Sequence, residues 1–376
     1  MLYTNARIFT PAGFQRGSFR TENGRFADAG AACAEESTVD LHGATVLPGL
    51  VEVHSHGNSG ADFSDGDYAG LCTMARYYAV HGITSFAPAS MTLPYEVLAS
   101  AFAAGKRLHE ERPRGCARLM GIHMEGPFFS EKKKGAQNAA YLRAPDIDAF
   151  TALYEGCGGL VRIVDLAAEL PGAVEFAAAA SKLCTVSVAH TDADYADAAA
   201  VFDAGASHLT HLFNAMPPIH HRKPGVIGAA SEREVIAELI CDGFHVHESA
   251  VRMAFKLFPD RICLISDSLR CCGMPEGEYD LAGQTVYLRD SAARLADGTI
   301  AGSVTDLFSC MKNAIAFGIP AEQAIRSATI IPARELGADR EIGSIEPGKR
   351  ADFVVCDDKL NILDVYIGGD KINKNE

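Results

Sequence analysis

Apolar positions in this chain fall into two alternating kinds of run. From Val51 onward, short unbroken apolar runs recur, at Val51–Val53, Thr84–Ala87, Arg118–His123, Val161–Val164, Thr185–Ala189, Ser207–Leu209, Ala237–Cys241 and Ile262–Ile265. Runs this short, with no polar alternation, predict strands covered on both faces. Between most of them lie Ala-rich stretches whose apolar residues return every three or four positions, as in Tyr68–Val80, Tyr95–Leu108 and Val174–Leu183. That period predicts helices. Eight strands alternating with helices, over about 285 residues, predict an α/β fold of the (β/α)8 TIM-barrel type, typically about 250 residues long.

Both chain ends follow another rule. Leu2–Phe9 alternates, and Asn23-Gly24 between strand-like runs predicts a hairpin turn. Ile342–Ile345, Ala351–Cys356 and Ile362–Ile367 are again strand-like, with a turn at Pro347-Gly348-Lys349. Helices are expected near Ser303–Phe317 and Ala321–Ala328. The simplest organisation is a small β-sandwich domain made from residues 1–46 and 333–376, flanking a barrel of residues 47–332.

Composition narrows the partners. A net charge of −14 over 376 residues does not suit nucleic acid or an anionic membrane, though a local basic pocket can still take an anionic small molecule. No apolar run reaches the roughly 18 residues of a membrane span. The 11 cysteines show no CxxC pair or framework spacing, so reduced thiols and a cytoplasmic setting are expected. Adjacent Cys271 and Cys272 are expected to be structural.

The chemistry lies at the strand ends. His54 and His56 follow the first strand, Glu125 the third, His190 the fifth, His211 the sixth and Asp267 the eighth. In an extended chain, residues two apart face the same way, so His54 and His56 can meet one ion. The active site of a (β/α)8 barrel gathers at the carboxyl ends of its strands. Singly, each of these residues reads as a surface or hydrogen-bonded group. Together they predict a site for a divalent metal, with zinc first among first-row ions. Asp267 is the candidate acid/base, with a fifth metal ligand as its other reading.

The segments PGLVEVHSHG, IHMEGPF, VAHT, HLFNAMP, DGFHV, AGS and GSIEPGKRADFVV resemble the N-acetylglucosamine-6-phosphate deacetylase family of amidohydrolases along nearly the whole chain. The first and last indicate only the wider superfamily; HMEGPF and HLFNAMP are more specific. The resemblance implies a barrel with a small β-domain, hydrolysis of the acetamide of a phosphosugar, and a homodimer. It implies a main metal site at Glu125, His190 and His211. His54 and His56 would complete a second, giving one or two ions per subunit. It places Asp267 as acid/base and Arg222 on the phosphate. Substrate contacts are implied for Ala136, Gln137, Asn214, Ala215, His245 and the loop Ile300, Ala301 and Gly302.

The alternatives are an N-acetylgalactosamine-6-phosphate deacetylase, a non-catalytic sugar-phosphate sensor, or a dihydroorotase-like or hydantoinase-like amidohydrolase. Many of the last group bridge two metals with a carboxylated lysine on the fourth strand, but VRIVDLAAEL contains none. Ser268–Cys272 and Val304-Thr305-Asp306 depart from the family's usual residues beside the pocket, which bears on the identity of the sugar.

Overall fold

Strands that are apolar throughout need cover on both faces, and the computed structural model, which describes residues 1–28 and 37–373, puts them at the centre of the molecule. They run at Leu50–Glu52, Ile83–Phe86, Arg118–Leu119 with Ile122–Phe128, Val161–Leu166, Thr185–Val188, His208–Leu209, Ile236–Ile240 and Ile262–Ile265. All pair in parallel, each with its neighbour in sequence. A parallel bridge between Ala89 and His123 ties the second strand to the third. The eighth returns to the first through the Asp267 N–H, which donates to the His54 carbonyl at 2.9 Å. The fold is the (β/α)8 barrel of the sequence expectation.

Helices follow the strands and shield their outer side. Four begin at aspartates that accept hydrogen bonds from first-turn N–H groups: Asp67, Asp146, Asp194 and Asp306. Such caps fix where each strand-to-helix loop ends, and so the reach of the residues on it. Inside the barrel, Val51, Val53, Ile163, Ile240 and Ile265 pack on Ile331, Leu336 and Ile342, which close one end. Among the described residues no helix is long and apolar enough to cross a membrane.

The two chain ends share one eight-stranded sheet, in which Phe353–Cys356 pairs with Thr45–Pro48, and Thr45–Pro48 with Leu2–Thr10. Asn23 and Gly24 form the expected two-residue turn, with φ of 48° and 76°. Residues 29–36 and 374–376, which belong to the expected small domain, lie outside the described residues. An aromatic cluster holds the ends together: Phe353 stacks on Tyr366 at 4.3 Å and meets Phe19 and Tyr3 edge-on at 5.1 and 5.2 Å.

Three features differ from the sequence expectation. Ile342–Ile345 is not a strand. The chain bends at Gly343 (φ 89°), where a Cβ would lie 2.9 Å from the Ala333 Cβ, and Ile342 plugs the barrel instead. A short helix, Ile330–Glu335, spans the expected boundary at residue 333. A four-stranded antiparallel sheet, Gly277–Leu281, Gln284–Arg289, Ala292–Arg294 and Ile300–Gly302, is inserted after the eighth strand. Its apolar face (Leu281, Val286, Leu288) packs with Met91, Ala136, Leu269 and Cys271.

Phe353 is fully buried. Phe353→Ala should destabilise the protein by about 3–5 kcal/mol. A fall in thermal midpoint with unchanged metal content is the expected outcome. An unchanged midpoint would mean that the aromatic cluster does not hold the ends together.

Candidate metal centre

Glu125 occupies the third strand, Ile122–Phe128, and is 2% exposed. Its Oε1 lies 3.2 Å from His190 Nε2 and 3.3 Å from His211 Nε2, and those two nitrogens are 3.1 Å apart. Its Oε2 lies 3.3 Å from His56 Nε2, and His54 Nε2 is 3.6 Å from Oε1. Asp267 Oδ1 sits 3.3 Å from His56 Nε2 and 3.7 Å from His54 Nε2. All six groups are buried.

The protons show what this cluster requires. His190 Nδ1 lies 2.8 Å from the Lys133 carbonyl and His56 Nδ1 3.2 Å from the Ala89 carbonyl. A carbonyl only accepts, so each Nδ1 donates and each Nε2 presents a lone pair. His54 does the same through Nδ1 to Glu238 at 2.8 Å, leaving its buried Nε2 without a hydrogen-bond partner. Lone pairs therefore face carboxylate oxygens, an arrangement that repels unless a cation lies between them. Without an ion, protons supply the positive charge instead, and the Nε2 atoms then donate to the carboxylates. Burial opposes charge on His56 and His211, yet Asp267 and Glu125 outweigh it and raise both to about 9. Burial likewise opposes charge on Glu125, but the bonds from His190 and His211 keep its carboxyl well below the ordinary range.

Two sets can hold an ion: Glu125 with His190 and His211, and Glu125 with His54 and His56. In the first, donor separations of 3.1–3.3 Å match the edge of a tetrahedron with metal–ligand bonds of about 2.0–2.1 Å. Glu125 belongs to both sets, so its two oxygens could serve two ions. A third group, His54, His123 and Glu238, reads differently. Both nitrogens of His123 are engaged, with Val53 O at 3.0 Å and Asp165 at 2.8 Å, so hydrogen bonds account for it.

Backbone geometry aims these side chains. His190, His211 and Asp267 have φ of 44°, 32° and 50°, in the left-handed region that side-chain-bearing residues rarely occupy. Each ends or follows a strand, and the turn directs its side chain into the barrel mouth. Such strain is held only where the surroundings overdetermine it, and it clusters at functional sites.

Of the candidate substrate residues, Gln137 touches this centre through its side chain. Gln137 is fastened inward: its Nε2 donates to Glu125 Oε2 at 2.8 Å and its Oε1 accepts from Thr92 N at 2.8 Å. Ala136 beside it is buried, and its carbonyl accepts from Gln284 of the inserted sheet at 2.6 Å. Asn214 Nδ2 donates to the carbonyls of His211 and Leu212, and the Ala215 carbonyl accepts from Thr191 N. His245 pairs with Asp242 at 2.7 Å. Arg222 is exposed and contacts His221. Ile300, Ala301 and Gly302 form the last strand of the inserted sheet. A Cβ on Gly302 would lie 2.8 Å from the Leu269 side chain and 3.0 Å from the Asp267 carbonyl, so this loop presses on Asp267.

Sequence reasoning missed the layer beneath. Glu238 accepts from His54 Nδ1 and, at 3.1 Å, from the His211 N–H. It thus orients one residue of each ion-holding set. Burial opposes its charge, but His54 outweighs this and lowers it to about 2. Asp165 holds His123, and the carboxyl oxygens of Glu52 accept from His54 N and Ser266 N. The available signal was a lone carboxylate inside an apolar strand, as in IAELI and VRIVDL. Cys271 and Cys272 are buried, which pushes their thiols up to about 11 and about 12.

Residues 45–372 match the model of the amidohydrolase family. The chain belongs to the amidohydrolase family. Family and donor set together support a divalent metal. This amidohydrolase is 34% identical to the N-acetylglucosamine-6-phosphate deacetylase of Bos taurus, across 98% of this chain and 95% of that one. It is 36% identical to the protein of the same name from Bacillus subtilis, across 85% and 82%. It also overlays on the Mycobacterium smegmatis N-acetyl-D-glucosamine-6-phosphate deacetylase, solved as a mutant in complex with N-acetyl-D-glucosamine-6-phosphate. The TM-score there is 0.91 and the identity 32%, over 99% of both chains.

Glu125→Gln keeps the shape but removes the charge shared by both ion-holding sets. Metal bound per chain, measured by plasma mass spectrometry, should fall at least about tenfold. Full metal content in this variant would show that ions bind elsewhere.

Proposed function

We propose that this amidohydrolase removes the acetyl group of N-acetylglucosamine 6-phosphate, giving glucosamine 6-phosphate and acetate in amino-sugar catabolism. The observation that carries the reading is the junction of Glu125, His190 and His211 with Asp267 alongside, on a chain similar end to end to deacetylases of that substrate.

Glu125, His190 and His211 would hold the main ion, and His54 and His56, sharing Glu125, a second. Nitrogen and oxygen donors at tetrahedral spacing favour zinc. When bound, such an ion lowers the pKa of water towards ~7 and polarises the amide carbonyl. Asp267 performs the proton transfer. Burial alone would raise its pKa, but the bond from His56 and the charges of His54 and His56 hold it below the ordinary carboxylate range. It therefore starts as a base, takes the proton of the attacking water and delivers it to the departing amine. Its side chain is 12% exposed against 2% for Glu125, which suits a group that must meet substrate.

Arg222 and His245 at the rim would bind the phosphate and the sugar; a guanidinium fork matches a phosphate dianion. Asn214, Ala215, Ala136, Ile300, Ala301 and Gly302 would line the pocket. Gln137 would act through Glu125, since both its side-chain polar atoms are already engaged. The sheet shared by the two chain ends would form a domain distinct from the barrel. Exposed Ile219 and Phe244, close in sequence to Arg222 and His245, would suit a homodimer contact. The described cysteines are all free thiols, in keeping with a cytoplasmic setting. The galacto alternative is not favoured, although one relative, from Escherichia coli O157:H7 and 33% identical, carries the name N-acetylgalactosamine-6-phosphate deacetylase.

Acetate release from a panel of N-acyl hexosamines, with and without the 6-phosphate, tests the reading. N-acetylglucosamine 6-phosphate should give the highest kcat/KM; a higher value for another sugar would replace it. Asp267→Asn should retain metal and lower kcat by about 10²-fold or more. Near-normal turnover would remove Asp267 from the mechanism. Arg222→Ala should raise KM for the phosphorylated sugar far more than for N-acetylglucosamine, and equal effects would count against a phosphate role.

A further inference from the structure

A second cleft, of about 800 Å³, opens at the other end of the barrel. Its floor includes residues 112–118, which link the helix Tyr95–Glu111 to the strand Arg118–Leu119. That strand starts the third barrel stave, whose far end carries Glu125, so the cleft lies at the face opposite the metal centre. Its other wall comes from the shared sheet: the turn Asn23–Arg25 and residues 367–373.

The lining is strongly cationic on a chain of net charge −14. Arg25, Arg112, Arg114, Arg118, Arg350 and Lys371 face two carboxylates, Glu341 and Asp370. Some of this charge is neutralised locally, by Arg25 with Glu341 at 3.2 Å, Lys371 with Asp364 at 2.7 Å and Arg350 with Asp352 at 2.7 Å. The side chains of Arg114 and Arg118 have no ion pair or hydrogen bond among the described residues. Arg350 is only 8% exposed, yet its buried Nε has no hydrogen-bond partner. A buried Nε–H that has lost water and gained no acceptor is costly to leave so, even where the guanidinium is paired on its other side with Asp352. Burial, and behind it the like charge of Arg118, pulls its pKa down against the lift from Asp352.

Clustered guanidinium groups repel one another unless an anion lies among them. Their planar forks fit the several oxygens of a phosphate better than a single carboxylate does. The volume suits a metabolite-sized ligand. We propose that this cleft is a binding site for a small phosphate-bearing anion, separate from the reaction centre. The site joins the shared sheet to the barrel. A ligand there stabilises both by mass action and can regulate the enzyme without meeting its substrate.

The test uses inorganic phosphate and the metal-loaded Arg222→Ala protein, so that the rim contact proposed above does not compete. Phosphorus NMR titration should show saturable binding. The thermal midpoint should rise with phosphate but not with chloride at equal ionic strength. Arg114→Ser with Arg118→Ser in the same background should weaken binding by about tenfold or more while metal content stays unchanged. Should the double variant fail to fold, the exposed loop variant Arg114→Glu alone should also weaken binding. Absence of saturable binding in the parent protein overturns the proposal. So does undiminished binding in the variants, which would place the phosphate elsewhere.

Discussion

Everything at the mouth of this barrel depends on the Glu125 carboxylate, buried among the Nε2 atoms of His54, His56, His190 and His211. Without a cation the arrangement is electrostatically unfavourable: acceptors face acceptors in a dry environment, where each unmet group costs about 1–3 kcal/mol. Chain segments separated by up to 157 positions, from His54 to His211, must nonetheless hold that geometry. The strained turns at His190, His211 and Asp267, and the hydrogen bonds beneath them, are what hold it.

Support comes from below and from the side. Glu238 fixes the orientation of His54 and the backbone of His211 at once, so a single carboxylate sets one member of each ion-holding set. Gln137 fixes Glu125 and is in turn held by Thr92. The inserted sheet presses Gly302 against Asp267 and ties Gln284 to Ala136, so a surface addition to the barrel reaches the reacting group. Loss of a partner of this kind typically costs about 10–100-fold in metal affinity or activity.

Much of the fold was legible in the sequence, because unbroken apolar runs alternating with helical periods leave few alternatives. Ile262–Ile265 and Ile362–Ile367 coincide with strands to the residue. The inserted sheet was not legible: its strands are half exposed and mix polar with apolar residues, as GEYDL and QTVYLR do. Ile342–Ile345 looked like a strand because its apolar content was read without the bend that Gly343 allows. At the site, histidines and carboxylates just past strand ends stood out, since polar residues there have little structural reason to be polar. Glu238 and Asp165 did not, because they sit within strands, where a lone carboxylate reads as noise until a histidine is found against it.

The most direct test of the account is anomalous X-ray scattering from crystals of the metal-loaded protein, recorded on either side of the metal's absorption edge. The account predicts a peak bounded by Glu125, His190 and His211. A fully loaded crystal with no peak there, or with its only peak away from Glu125, would contradict it.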